Sequence, residues 1–180
     1  MNKSIIKKAL KIKLFITDVD GVLTDGSLIL GNNGEEFKSF NSQDGMGIKL
    51  LQKNDIKVAI ITGRSSKIVE NRAEELDIKE VYQGIDDKIK IFDDLLDKYF
   101  LNSNEVSYIG DDLNDLPVLN EVGLSFTVSN GVDKVKENVD YVTEKSGGRG
   151  AVREAAEIIL DIKNDFSGGE VFDKERDWQL

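Results

Sequence analysis

Apolar residues along this chain alternate between two rhythms. Short dense runs occupy residues 12–19, 57–62, 80–83, 106–109, 123–128 and 140–142, and these read as strands. Between them, apolar positions recur every three or four residues over 44–54, 65–77, 86–99, 114–121, 131–138 and 149–163, which predicts helices. Strands alternating with helices over short connections imply an α/β fold: a Rossmann-like parallel sheet sandwiched by helices. One stretch breaks the alternation. Within residues 27–40, Leu28-Ile-Leu30 and Glu36-Phe-Lys-Ser-Phe40 flank Gly31-Asn-Asn-Gly34, the pattern of a β-hairpin inserted after the first strand. The basic start, Met1 to Lys13, carries Ile5, Ile6 and Leu10 and reads as a short amphipathic helix or a flexible lead-in.

Chemistry concentrates where the runs end. The first strand stops at Asp18 and Asp20, followed at once by Gly21. In a parallel sheet the carboxyl ends of strands open on the ligand crevice. Two carboxylates there repel one another, and a hard divalent cation such as Mg2+ is the usual neutraliser. The bland alternative is a strand ending in an acidic Asp-Gly turn. The second strand ends in Thr62-Gly63-Arg64, where a hydroxyl and freed N–H groups can hold a phosphoryl oxygen and Gly63 lets the backbone approach it. Lys88 opens a helix and offers a compact charge suited to phosphate. Another apolar run ends in Gly110-Asp111-Asp112-Leu-Asn-Asp115. Each feature alone could be ordinary turn or surface chemistry; the four in this order point to phosphate.

Composition narrows the field. The chain has 180 residues with 39% hydrophobic content, the size of one globular domain over 1–163 with a charged, Gly-containing tail over 164–180. It contains no histidine and no cysteine, which excludes a Ser-His-Asp triad, histidine metal ligands, disulfides and thiolate chemistry. Catalysis must therefore run on carboxylates. Absence of cysteine also fits a reducing cytoplasm. No run of eighteen apolar residues suggests a membrane span, and the start lacks the apolar core of a signal peptide. A net charge of −10 without a basic patch argues against nucleic acid. Arg64, Lys67, Arg149 and Arg153 could make the substrate end locally positive. Arg64 and Arg149 are the candidates for a substrate carboxylate, because a guanidinium grips one bidentately. Arg153 fits an ion pair with Glu157 one helical turn on.

The order Asp-x-Asp-Gly-Val-Leu-Thr, Thr-Gly-Arg, Lys, Gly-Asp-Asp-x-x-Asp resembles the haloacid dehalogenase superfamily of phosphohydrolases. Gly34 to Asn41, Asp44 to Leu51, Gly110 to Leu119 and Ser146 to Glu154 extend the resemblance to the 3-deoxy-D-manno-octulosonate 8-phosphate phosphatases, over roughly residues 12 to 163. The resemblance implies Asp18 as nucleophile and Asp20 as acid and then base. It implies Mg2+ held by Asp18, the Asp20 backbone carbonyl and Asp111, with Asp112 beyond them. Lys88 and Thr62 would contact the phosphoryl group, and Asp115 would orient Lys88. Lys90 is a solvated side chain on this reading. The implied reaction is Mg2+-dependent hydrolysis of a sugar-acid phosphate through an aspartyl-phosphate. Its alternatives are a nine-carbon sialic-acid-type 9-phosphate as substrate, or a non-catalytic binding module.

Only 43 residues separate Asp18 from Thr62, and 25 separate Thr62 from Lys88. Neither gap can hold a separate cap domain, and an uncovered site is poorly shielded and poorly selective. A neighbouring subunit can supply a lid; the resemblance implies a homotetramer in which hairpins associate. Phe37 and Phe40 could face that partner or their own core. Ser146-Gly-Gly-Arg-Gly150 reads as a mobile substrate loop, and Trp178 in the tail as either disordered or docked over a neighbouring site.

Overall fold

The computed structural model describes residues 3–34 and 36–166, so Trp178 and most of the tail lie outside the described residues. Six parallel strands form the central sheet: β1 (Leu14–Thr17), β4 (Lys57–Ile61), β5 (Glu80–Tyr82), β6 (Val106–Gly110), β7 (Leu124–Thr127) and β8 (Tyr141–Val142). Their spatial order is β5-β4-β1-β6-β7-β8. The chain first builds outward from β1 through β4 to β5, then returns to the other side of β1 with β6. The direction of winding therefore reverses between β1 and β6, and ligands of such sheets bind at that reversal, beyond the strand carboxyl ends.

The helices are α1 (Lys3–Ala9), α2 (Ser42–Lys53), α3 (Lys67–Glu75), α4 (Lys88–Tyr99), α5 (Leu116–Glu121), α6 (Asp133–Lys136) and α7 (Ala151–Phe166). Period-two alternation along each strand divides the core. Phe15, Val58, Ile60, Ile109 and Phe126 pack with Ile5, Ile48, Leu51, Val69, Ala155 and Ile159 on the face covered by α1, α2, α3 and α7. Leu14, Ile16, Ala59, Ile61 and Tyr108 pack with Phe92, Leu95, Val118 and Val135 on the face covered by α4, α5 and α6. Both faces are sealed, which is why the strands read as continuous apolar runs. The basic start is a helix, anchored by buried Ile5 and Ala9 and by the Lys8–Asp140 ion pair. Among the described residues no helix is long and apolar enough to cross a membrane.

The hairpin is shorter than its sequence pattern, pairing only β2 (Ile29–Leu30) with β3 (Glu36–Phe37). Its apolar side chains point outward: Leu28, Ile29, Leu30 and Phe37 are all more than half exposed. Phe40 turns the other way, packing on the core with the Arg72 guanidinium 5.7 Å from its ring centre. The two phenylalanines therefore divide, one outward and one inward.

Residues 146–150 do not hang free. Gly148 N–H donates to the Val22 carbonyl at 2.9 Å and Gly147 N–H to Asn130 Oδ1 at 2.9 Å. Asp44 of α2 accepts from Gly150 N at 3.1 Å and Arg153 N at 3.0 Å, capping α7 and fastening the loop from its far end. A β-carbon on Gly147 would lie 1.7 Å from the Gly21 carbonyl oxygen. By contrast, a β-carbon on Gly63 would meet nothing closer than the Ile85 carbonyl at 3.7 Å. Gly147→Ala is therefore expected to cost about 2–3 kcal/mol in urea denaturation, the upper range for overpacking. Gly63→Ala should stay within about 0.5 kcal/mol of the parent.

Candidate active site

Three of the sequence-selected segments meet at the topological reversal. Asp18 leaves β1 with its backbone N–H on the Ile109 carbonyl at 3.1 Å, so the ladder holds it level with the end of β6. Thr62 leaves β4, with its N–H donating to the Tyr82 carbonyl at 2.9 Å. Asp111 and Asp112 leave β6, and Lys88 is the first residue of α4. Lys90, two residues on, faces solvent.

Lys88 is the centre of the arrangement. Its Nζ donates to Asp18 Oδ2 at 2.8 Å and to Asp115 Oδ1 at 2.6 Å, and its side chain is 1% exposed. An ammonium so deeply buried requires both anions. Burial lowers its pKa, but the two carboxylates outweigh that and hold it above the ordinary lysine value. Asp115 is committed on both oxygens. Oδ1 also accepts from Tyr108 Oη at 2.6 Å, while Oδ2 accepts from the N–H groups of Asp111 and Asp112 at 2.9 and 3.2 Å. It therefore fixes Lys88 and the turn after β6 together.

Carboxylate oxygens of Asp18, Asp111 and Asp115 lie within 4.8 Å of one another. Asp115 already accepts from four donors, so Asp18 and Asp111 are the pair better able to grip a cation. Their own protonation behaviour shows the demand for one. Burial and the neighbouring Asp115 push Asp18 up to about 6, against the pull of Lys88. Burial, with Asp115, Asp18 and Asp112 beside it, pushes Asp111 up to about 7. An oxygen-only donor set of this kind suits Mg2+. Asp112 stands beside Asp111, and its Oδ1 accepts from Leu113 N at 2.7 Å, capping a single 3-10 turn over Leu113–Asp115.

Asp20 is held differently. Its Oδ1 accepts from Lys38 of the hairpin, and its Oδ2 is buried without a hydrogen-bond partner. Arg64 stands beside the same group, its Nε 3.9 Å from Asp20 Oδ2 and its Nη2 3.5 Å from Glu36 Oε1. Arg149 is largely exposed, 3.9 Å from Asp25 Oδ2, and makes no contact with the Asp18–Lys88 centre. Arg153 pairs with Glu157 at 2.7 Å, outside the site. Lys38, Tyr108 and Asp44 were not singled out by sequence. Tyr108, one of two hydroxyl residues with Ser107 in an otherwise apolar run, carried the one available hint.

Comparison with known proteins now gives this geometry a lineage. A profile of haloacid dehalogenase-like hydrolases matches residues 78–155. The chain is 49% identical over 160 residues to the 3-deoxy-D-manno-octulosonate 8-phosphate phosphatase of Escherichia coli, covering 89% of this chain and 85% of that one. The corresponding phosphatase of Moraxella catarrhalis, crystallised with magnesium ion, phosphate ion and the sugar acid, superposes with a TM-score of 0.89 at 45% identity, covering 93% and 96% of the two chains. The cobalt-bound Haemophilus influenzae protein gives 0.84 at 44% identity, covering 87% and 91%. A carboxylate-bearing strand end, a buried lysine and an acidic turn on this sheet, with these relatives, define a haloacid dehalogenase-like hydrolase. More narrowly, the chain belongs to the 3-deoxy-D-manno-octulosonate 8-phosphate phosphatase family.

The raised carboxylates set a pH signature. Unfolded, Asp18 and Asp111 release their protons near 3.8; folded and metal-free, they keep them to about 6 and about 7. The folded state binds more protons across that window, so the contribution of these groups to metal-free stability falls as pH rises through it. A divalent cation favours the ionised carboxylates and binds only the folded chain. The Mg2+-induced rise in Tm should therefore be larger at pH 8 than at pH 5.5. At a hundredfold excess over Kd it should reach about 5–10 °C at the higher pH, read by thermal melts with Mg2+ or EDTA.

Proposed function

We propose that this protein hydrolyses 3-deoxy-D-manno-octulosonate 8-phosphate to the free sugar acid and phosphate, with Mg2+ as cofactor. The observation that carries the reading is the buried Asp18–Lys88–Asp115 chain beside Asp111, in a family whose Moraxella member was crystallised with magnesium, phosphate and the sugar acid. When bound, Mg2+ would be held by Asp18, Asp111 and the Asp20 backbone carbonyl and would neutralise phosphoryl charge.

Asp18 Oδ1 accepts from its neighbour Val19 N at 2.6 Å and Oδ2 from Lys88, so the carboxylate is fixed at the strand end before substrate arrives. One Asp18 oxygen attacks phosphorus as the bond to the sugar oxygen breaks, and Asp20 gives that leaving oxygen its proton. Asp20 then takes a proton from water, which attacks the aspartyl-phosphate and releases phosphate, restoring the Asp18 carboxylate and the protonated Asp20. Lys88 and the Thr62 hydroxyl would offset charge on the phosphoryl oxygens, the main route to stabilising phosphoryl transfer. Arg64 and Arg149 supply guanidinium groups for the substrate carboxylate, Arg64 from beside Asp20 and Arg149 from the Asp25 side. Gly63, next to Thr62, would let the backbone come close to the incoming phosphate.

The outward apolar side chains of the hairpin support assembly into a homotetramer, with a neighbour supplying the cover that no cap domain provides. The absence of cysteine fits a cytoplasmic enzyme.

Phosphate release from the eight-carbon ester should disappear in EDTA, and Asp18→Asn should lower kcat at least about 10,000-fold. A preference for a nine-carbon sialic-acid-type 9-phosphate would reassign the substrate while keeping the chemistry. In sedimentation analysis, Leu30→Asp combined with Phe37→Asp should shift the protein to a smaller species. An unchanged mass would discard the hairpin as the assembly surface.

A further inference from the structure

The hairpin enters the active site through one side chain. Around β3, Phe37 and Ser39 face outward, whereas the intervening Lys38 has a side chain only 2% exposed. Glu36, Lys38 and Phe40 thus share the inward face expected of period-two backbone. Lys38 Nζ donates to Asp20 Oδ1 and lies 3.4 Å from Glu36 Oε1. With Arg64 Nε 3.9 Å from Asp20 Oδ2 and Arg64 Nη2 3.5 Å from Glu36 Oε1, two cations and two anions alternate around a closed ring. The ring joins the loop after β1, the loop after β4 and the hairpin.

Lys38 is spent entirely on this ring. Burying a lysine costs several kcal/mol unless its charge is matched, and here the match is with one oxygen of Asp20, helped by Glu36. The other oxygen, Oδ2, is buried with no donor of its own. Asp18 and Asp115 present no such oxygen, since each of theirs accepts a hydrogen bond. An aspartate side chain left to itself rotates and exchanges its oxygens. Tethered through Oδ1, it cannot.

We propose that Lys38 is a positioning residue for proton transfer: it locks the Asp20 carboxylate by Oδ1 and leaves Oδ2 as the oxygen that passes the proton to the leaving group. The hairpin is thereby a working part of the catalytic site as well as an outer surface. This rests on the reading of Asp20 as the acid–base group.

The test exploits leaving groups. p-Nitrophenyl phosphate departs without a proton, whereas phenyl phosphate, of nearly the same shape, and the sugar phosphate need one. kcat/KM reports events up to departure of the leaving group and does not sense hydrolysis of the aspartyl-phosphate, so it isolates the acid step. In Lys38→Met, kcat/KM should fall about 10–100-fold on phenyl phosphate and on 3-deoxy-D-manno-octulosonate 8-phosphate, and less than about 3-fold on p-nitrophenyl phosphate, below the full value of an acid catalyst. Lys38→Gln, which retains a donor, should recover part of the loss, and it serves in place of the methionine variant if that one does not fold.

Asp20→Asn is the reference and should discriminate among the same esters more strongly. If it discriminates and both Lys38 variants do not, the positioning role is overturned while the acid–base reading stands. If Asp20→Asn shows no discrimination, the acid–base reading falls and the proposal with it. Equal losses on all three esters would make Lys38 structural, and a loss confined to the sugar phosphate would make it a substrate contact; either result overturns the proposal.

Discussion

The site depends on the burial of one positive charge. Lys88 sits at the start of α4 in a place water does not reach, and its ammonium is tolerable only between Asp18 and Asp115. Each partner is in turn constrained. Asp115 is gripped by Tyr108 from β6 and by two backbone N–H groups of the turn that presents Asp111. Asp18 is seated by the strand ladder. The position of Asp18 is therefore set by charge neutrality as much as by the sheet, and the same contacts set the turn that faces it.

Against that fixed centre, the carboxylates of Asp18 and Asp111 are left in tension. Asp18 and Asp111 are crowded, desolvated and flanked by Asp115, and only one lysine offsets three negative groups. A protein assembled for stability alone would dilute this cluster. Strain of this electrostatic kind is what a divalent cation relieves, and it accounts for an acidic chain handling an acidic substrate. The net charge of −10 describes the whole surface, whereas the strand-end site holds the buried ammonium of Lys88. Arg64, standing beside Asp20 and Glu36, adds a further cation on the hairpin side.

Much of this was legible in the sequence because it is local. Strands β1, β4, β5, β6 and β7 lie within the apolar runs or one residue beyond them, and Asp18, Thr62, Lys88 and Asp111 fall at strand ends or a helix start, where adjacency suffices to place them. What was illegible is cross-chain. Lys38 reads as one more surface lysine in an alternating hairpin, and nothing near it announces that it will reach Asp20, eighteen residues earlier. Phe37 and Phe40 have the same local pattern and opposite fates. The glycines of Ser146–Gly150 suggested mobility, whereas they permit contact: Gly147 lies directly on the Gly21 carbonyl, and Asp44 closes the loop from a helix a hundred residues away. A glycine records that space is short or that the backbone is free, and composition alone does not distinguish the two.

The sheet order carries a consequence for how activity emerges during folding. Strand β1 pairs from Leu14 with Lys57 on one side and with Val106 on the other, so its neighbours are 43 and 92 positions away along the chain. Closing loops of that length is a slow, late event compared with forming any of the helices. No pair of neighbouring segments contains Asp18, Lys88 and Asp111 at once. Turnover therefore reports completion of the whole sheet centre, and a chain still emerging or partly unfolded is catalytically silent until β6 docks.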